Sequence, residues 1–244
     1  DWAGSKSGRL RIACNGERIN GMLIPVIAEF AKRHPGIRLD LDLELRLEEI
    51  PGALLKGEAD IGILFEHLLA PGLNAFPLCR ERYLLAVADR PENAAFGAPY
   101  NEAGDYPLVF ETGLDPVKRL PLLPTLQHEE RTAILSKALG FSLQPLSWRV
   151  RQLGTRAALA AAGLCSAVCQ ERLIGSWQAS RLCRFASLEQ VLPVQHVVIA
   201  FNEGEYQSQA AEAFCRTALS VCSRAAAPDA AWPQACGTSI AIKA

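Results

Sequence analysis

An alternation of strand-like and helix-like segments near the start of the chain constrains the fold most. Short apolar runs predict strands at Leu10–Cys14, Ile37–Leu45 and Asp60–Phe65. The two segments between them repeat apolar residues at helical spacing, and Gly36 and Gly57 follow their predicted ends. Strand, helix, strand, helix, strand is the order of a parallel sheet with crossover helices, so the sequence predicts an α/β fold.

Two of these strands differ in how much of their surface is predicted to be buried. From Ile37 to Leu45, an aliphatic residue alternates with a charged residue at every position. Such a strand has one face in water, which is typical of the edge of a sheet. The run Asp60–Phe65 is almost entirely apolar after its first residue and therefore predicts a strand buried on both faces.

A second set of α/β segments between Val109 and Leu192 predicts a second lobe. Its predicted strands include Leu108–Glu111, Leu146–Gln152 and Leu164–Val168. The long apolar strand Val194–Asn202 and the helix after it are suited to return to the first set. We therefore predict two Rossmann-like lobes joined by two crossing strands. The predicted division is a linker remnant at 1–8, lobe I at 9–88 and 196–224, lobe II at 89–195, and a C-terminal tail at 225–244.

Composition narrows the function classes. Hydrophobic residues make up 50% of the 244 residues and the formal net charge is -1, so bulk electrostatics favours neither DNA nor a membrane surface. Eight cysteines lie mostly in apolar segments without a C-x-x-C motif, which predicts buried thiols and no metal site. The first eight residues contain neither an initiator Met nor a signal-peptide core, so we expect a piece of a longer or processed chain.

Motifs for catalysis are missing from the sequence. It contains no G-x-S-x-G elbow, Walker loop or paired-carboxylate constellation, and its four histidines are scattered. An enzyme would need a convergent acid, base or nucleophile, so we expect neither an enzyme nor a cofactor.

The run from Leu10 to Leu64 resembles the start of the effector-binding domain of LysR-type transcriptional regulators. The family's pattern is L-P-x-L-x-x-F-x-x-x-x-P, then an alternating strand, then L-x-x-G-x-x-D. Six residues of this chain match it: Pro25, Phe30, Pro35, Leu54, Gly57 and Asp60. Further on, Ala158–Val168 resembles the family's V-A-A-G-x-G-I-A-x-L segment. Gly163 matches its first glycine, and Cys165 replaces the second.

The resemblance implies a periplasmic-binding-protein type II-like fold in which a small molecule, often an anion, binds in the cleft between two lobes. It also implies a cytoplasmic homodimer or homotetramer that binds DNA only through an N-terminal winged helix-turn-helix outside this chain. One alternative is a solute-binding protein of a transport system, although free cysteines are a liability in an oxidising compartment. The change at Cys165 leaves redox sensing as another alternative.

The mouth of the first helix, just after Cys14, is the first candidate for effector contact. Free backbone N–H groups at a helix start favour an anion. The family often places Ser or Thr there, whereas this chain has Asn15, Glu17 and Arg18, with one residue inserted. Arg18 is the candidate for a two-pronged bond to a carboxylate, and its alternatives are a solvated side chain or an internal partner of Glu17. Asn20 is the predicted cap of the helix.

The remaining candidates lie at strand ends or helix starts predicted to line the same cleft: Arg46, Leu47, Glu66, Thr112, Arg149 and Arg151. The family often has a small hydroxyl residue near Leu47. A leucine cannot donate a hydrogen bond, which favours a larger or more apolar ligand, or none. For each candidate, the alternative is an ordinary surface residue.

Overall fold

The computed structural model describes residues 8–123, 128–148, 150, 152–204 and 208–225. Its strands are β1 Gly8–Cys14, β2 Ile37–Asp42, β3 Ile61–Phe65, β4 Leu73–Glu81, β5 Tyr83–Ala88, β6 Ala98–Pro99, β7 Leu122–Leu123, β8 Ser166–Gln170, β9 Cys183–Ser187 and β10 Gln195–Asn202. Its α-helices are α1 Gly16–Arg18, α2 Ile24–Arg33, α3 Ile50–Leu55, α4 Asp115–Arg119, α5 His128–Leu139, α6 Leu153–Ala161, α7 Glu171–Ile174 and α8 Gln209–Ala225.

The first sheet has five strands in the order β2-β1-β3-β10-β4. β1 pairs in parallel with both β2 and β3, whereas β10 runs antiparallel to β3 and β4. β2 lies at an edge, as its alternating sequence predicts, and every residue of β3 is buried, as its apolar run predicts. Because β1 and β3 are parallel, their carboxyl ends lie side by side at the same end of the strands. Open parallel sheets bind ligands at this end.

The second sheet has five strands in the order β6-β9-β5-β8-β7. The chain enters it through Arg82, which separates β4 from β5, and leaves it through residues 188–194, which lead into β10. These two crossings confirm the predicted pair of lobes, and we call the first sheet with its helices lobe I and the second lobe II. We predicted residues 83–88 in lobe I, but β5 pairs with β8 and β9 and lies in lobe II.

Both faces of the first sheet are covered, which explains the apolar sequence of β3. Ile63 and Phe65 face a cluster formed with α2 and α8, while Leu64 faces a second cluster formed with α3. This is the two-residue period of a strand buried on both sides. At Gly62 the sheet and α3 are in close contact, since a Cβ there would lie 2.5 Å from Cγ2 of Ile50.

The predicted strand at 108–111 is wrong. Residues 109–111 form a 3-10 turn, which local polar groups stabilise. The carboxylate of Glu111 accepts from the N–H of Leu108 at 3.0 Å, and the hydroxyl of Thr112 donates to the carbonyl of Val109 at 3.0 Å. Side chains that bond to nearby backbone in this way favour turns over strands.

The other errors in the strand prediction also concern lobe II. Among the described residues of 146–152, none belongs to a strand, and the neighbouring Pro145 forms a single bridge with Leu122. β9 was not predicted, because Arg184 interrupts its apolar residues. Arg184 bonds to the segment that precedes β6, because its Nε donates to the carbonyl of Phe96 at 2.6 Å.

Candidate functional site

The segment after β1 forms the mouth of the first helix. Asn15 is its N-cap, because its side-chain oxygen accepts from the N–H of Glu17 at 3.1 Å. The prediction that Asn20 caps the helix is wrong, since Asn20 lies inside a π-helical turn over Ile19–Leu23. A π turn closes over one residue more than an α turn. It is the geometry that one residue inserted into an α-helix would produce.

Arg18 is buried, with 2% of its side chain exposed, and it pairs with the fully buried Glu81 at the end of β4. Its two terminal nitrogens lie 3.1 Å and 3.4 Å from the two carboxylate oxygens. Burial acts to lower the pKa of Arg18, but the carboxylate of Glu81, with smaller contributions from Cys14 and Cys79, raises this pKa above its ordinary value. The guanidinium also lies 4.6 Å from the ring centroid of Phe65.

The structure thus contradicts both alternatives for Arg18, which is neither solvated nor the partner of Glu17. Effector contact through Arg18 stays a prediction. It requires the effector to reach a guanidinium that Glu81 already holds.

Glu17 reaches from lobe I to lobe II. One carboxylate oxygen accepts from the N–H of Leu153, and the other accepts from the N–H of Gly154 at 3.0 Å. These are the first two residues of α6, whose preceding residue Gln152, within the described part of the chain, makes no capping bond with its side chain. A carboxylate from the opposite lobe therefore satisfies the free N–H groups and the positive end of this helix.

A buried cation lies in the first turn of the same helix. Arg156 has 0% of its surface exposed, and its Nη2 donates to the carbonyl of Val150 at 2.9 Å. Burial lowers the pKa of Arg156, while the carboxylate of Glu17 acts in the opposite direction. The position of the Glu17 carboxylate is therefore favourable for negative charge on two counts: the helix N-terminus and a buried guanidinium.

The residues after β3 include the candidate Glu66, and effector contact through it stays a prediction. Glu66 is held by lobe I itself, because its Oε2 lies 2.9 Å from Nδ1 of His196 in β10. The ring of His67 stacks on that of Phe65, with 5.6 Å between centroids. Partial burial, and then the guanidinium of Arg131 in lobe II, lower the pKa of His67. The imidazole of His67 in lobe I is therefore close enough to the guanidinium of Arg131 in lobe II for its charged form to be disfavoured.

The two candidates at the start of α3 have local partners. The carboxylate of Glu49 accepts from the backbone N–H of Arg46 at 2.8 Å and from its Nε at 3.0 Å. Leu47 is partly buried and packs against the clusters on both faces of the first sheet. Arg46 thus stabilises the start of the helix and Leu47 contributes to the core, while effector contact through either stays a prediction.

The candidates in lobe II remain predictions as well. Thr112 is partly buried, and its hydroxyl already donates to the carbonyl of Val109. Arg149 and Arg151 lie outside the described residues, so their position at the cleft stays a prediction.

Three charged residues of this region were not predicted from the sequence: Glu81, Arg131 and Arg156. Glu81 stands in an Arg-Glu-Arg run that resembles an exposed turn. Arg131 donates from Nη1 to the hydroxyl of Tyr83 at 2.9 Å, although it is distant in sequence. The one available signal was the charge of Arg156 inside an otherwise small and apolar helix, since a charge in a buried element is costly without partners.

The cysteines of the described residues are buried and form no disulfide: Cys14, Cys79, Cys165, Cys169, Cys183, Cys215 and Cys222. Burial raises the pKa of Cys165 to about 11 and that of Cys14 to about 12. The prediction of buried thiols is therefore confirmed for these residues, and a thiol that stays protonated is a poor nucleophile. Across the same part of the chain, His, Cys, Asp and Glu form no metal-binding group of three, and no helix is long and apolar enough to cross a membrane.

Comparison with known families decides the class of this domain. The family model of the LysR substrate binding domain matches residues 3–223. The chain belongs to this family. The resemblance read from Pro25, Gly57 and Asp60 is therefore confirmed, this LysR domain is a ligand-sensing regulatory domain, and neither the family model nor the solved structures reported below favour a transport protein.

Solved structures share the fold of this LysR domain. The cofactor-binding domain of the Cbl transcriptional regulator is 22% identical with a TM-score of 0.67, over 90% of this chain and 91% of that one. The BenM effector binding domain with its effector benzoate is 20% identical with a TM-score of 0.64, over 90% and 94%. Full-length CbnR complexed with its target DNA is 18% identical with a TM-score of 0.63, over 88% and 69%. The fold is thus the periplasmic-binding-protein type II-like fold.

Proposed function

We propose that this LysR domain binds a small anionic effector between its two lobes and thereby changes how a DNA-binding part of the full protein engages DNA. The contact of Glu17 with the first turn of α6 carries this proposal. A carboxylate is held there, across the two lobes, by the N–H groups of Leu153 and Gly154. An effector carboxylate finds the same two donors and the same helix dipole. The likeness to BenM, whose effector is benzoate, supports a carboxylate as the ligand.

A route from this site to the crossing between lobes also supports the proposal. Glu81 and Arg82 form the crossing from β4 to β5. Glu81 is held by Arg18 at the helix mouth, and Nε of Arg82 donates to Glu171 in lobe II at 3.0 Å. A ligand that moves the helix mouth therefore acts directly on a crossing between the lobes, which is where domain closure is absorbed.

The proposal extends to the full protein. We propose that it works in the cytoplasm as a homodimer or homotetramer and contacts DNA through an N-terminal winged helix-turn-helix. The likeness to full-length CbnR, a regulator in complex with its target DNA, supports this arrangement. Catalysis and cofactors have no part in the proposed function.

A thermal-shift screen of small carboxylates and amino acids, followed by calorimetry, tests the proposal. A ligand at 100 times its Kd adds about 2.7 kcal/mol of stability, which raises the Tm of a domain of this size by roughly 5–11 °C. The matched control for each carboxylate that binds is its neutral primary amide. We expect carboxylates to bind and their amides to bind at least about tenfold more weakly. Equal binding of acid and amide would contradict an anionic effector.

A further inference from the structure

Glu17 is an unusual cap for α6 because it belongs to the other lobe. Helices are ordinarily capped by the residue that precedes them, using its own side chain. Here both carboxylate oxygens come from a residue more than 130 positions away in sequence, and each accepts one N–H of the first turn of α6. Glu17 therefore makes the two hydrogen bonds that we expect of an effector carboxylate.

The same segment of lobe I touches lobe II at a second point. A Cβ added to Gly21, in the π turn, would lie 2.7 Å from Cδ2 of Leu173 and 3.0 Å from the carbonyl oxygen of Arg172. Leu173 and Arg172 belong to α7. The π turn and α7 are thus in close contact, with room only for a glycine. Two independent contacts, one polar and one steric, hold the helix mouth against lobe II with this chain's own atoms.

We propose that Glu17 is a built-in competitor of the effector, whose carboxylate fills the position of the effector's anionic group and holds the two lobes together. This inference rests on the proposed function, because a competitor requires a ligand to displace it. When the effector binds, one carboxylate replaces another at Leu153 and Gly154, and Glu17 moves into solvent.

This exchange makes Glu17 a common threshold for the affinity of anionic ligands. The number of hydrogen bonds at α6 is the same before and after, so the anionic group alone gains the effector little free energy. An effector then succeeds only through further contacts in the cleft, and a bare small anion such as acetate fails. The internal competitor lowers the apparent affinity of every anionic ligand by the same factor, since it reduces the fraction of open sites.

Removal of the carboxylate tests the inference on the 244-residue chain. We would compare Glu17→Ala and the isosteric Glu17→Gln with wild type, using Glu102→Ala as the control because Glu102 is an exposed carboxylate of lobe II. Amide hydrogen exchange by NMR measures how well the N–H groups of Leu153 and Gly154 are protected from solvent. Calorimetry with acetate and benzoate reports anion affinity.

We expect exchange at these two amides to rise at least tenfold in Glu17→Ala, and affinity for benzoate to rise roughly tenfold or more. Glu17→Gln should fall between Glu17→Ala and wild type, since it keeps one acceptor oxygen but loses the charge. Glu102→Ala should match wild type in both measurements. Gly21→Ala should also raise exchange at the two amides, because its methyl group would push the π turn away from α7 without altering any charge.

Two results would overturn the inference: protected amides in Glu17→Ala, or released amides without any gain in affinity for acetate or benzoate. Either result is separate from failure of the proposed function. If wild type binds no anion in the screen while Glu17→Ala binds benzoate, the competitor is supported and the wild-type effector is not a simple anion. If wild type binds a carboxylate and Glu17→Ala binds it equally well, the proposed function holds and the competitor does not.

Discussion

The buried pair of Arg18 and Glu81 should dominate the stability of the helix mouth. Replacing Arg18 by Met keeps most of the side-chain volume but removes the only partner that the described structure gives the Glu81 carboxylate, which has 0% exposure. Breaking a buried pair from one side costs about 3–5 kcal/mol because an uncompensated charge remains inside the protein. The lost contact of the guanidinium with the ring of Phe65 falls within this range.

Urea denaturation and calorimetry measure this cost. At about 2–4 °C per kcal/mol for a domain of this size, Arg18→Met should lower the Tm by roughly 6–20 °C. Arg33→Met is the matched control, since Arg33 makes an exposed pair with Glu29 one turn away on α2, and such pairs are worth about 0.3–0.5 kcal/mol.

A double-mutant cycle separates the pair from its surroundings. Arg18→Met combined with Glu81→Leu removes both charges at similar volume and should recover most of the lost stability, because neither charge is then left buried alone. A loss below about 1 kcal/mol in Arg18→Met, or a double variant that loses the sum of the two single losses, would refute the account of a dry, mutually dependent pair.

Three further predictions concern packing and protonation. Gly62→Ala should destabilise by about 1–3 kcal/mol in urea, because its methyl group would collide with Ile50 of α3, and unchanged stability would show that α3 is free to shift. The thiol of Cys165, with its pKa raised to about 11, should react with an aromatic disulfide reagent at pH 8 far more slowly than free cysteine, and a rate equal to that of free cysteine would contradict its burial. His67 should titrate by NMR below its ordinary pKa of about 6.5, and Arg131→Met should raise that pKa; no change in Arg131→Met would remove Arg131 as a cause. Because the folded state binds fewer protons at His67 than the unfolded chain does, this residue should make the protein less stable as the pH falls through 6.5.

Periodic patterns in the sequence were sufficient for lobe I. The alternation of β2 and the apolar run of β3 reflect how much of each strand contacts water. The burial of a strand can therefore be predicted from the residues of that strand alone. The sheet to which β5 belongs could not be predicted from the residues of β5 alone. Only Arg82 separates it from β4, and a one-residue connection carries no sign that the chain passes from one sheet to another.

The mouth of the first helix lies in the segment where the sequence predicts it, but the partners of its side chains were not predicted, and effector contact there stays a prediction. Asn15, Glu17 and Arg18 stand where the first strand meets the first helix, which topology alone predicts. The partner of Arg18 is a glutamate more than 60 residues away, and the partners of Glu17 are backbone N–H groups, which every non-proline residue possesses. Contacts of this kind depend on the packed arrangement of two lobes and leave no local pattern in the sequence.

A crystal structure of the 244-residue chain with the strongest carboxylate ligand from the screen tests the central claim most directly. The account predicts that the ligand lies between the lobes, with its carboxylate within hydrogen-bond distance of the N–H groups of Leu153 and Gly154 and with Glu17 displaced from them. A ligand bound outside the cleft, or bound while Glu17 still caps α6, would contradict it.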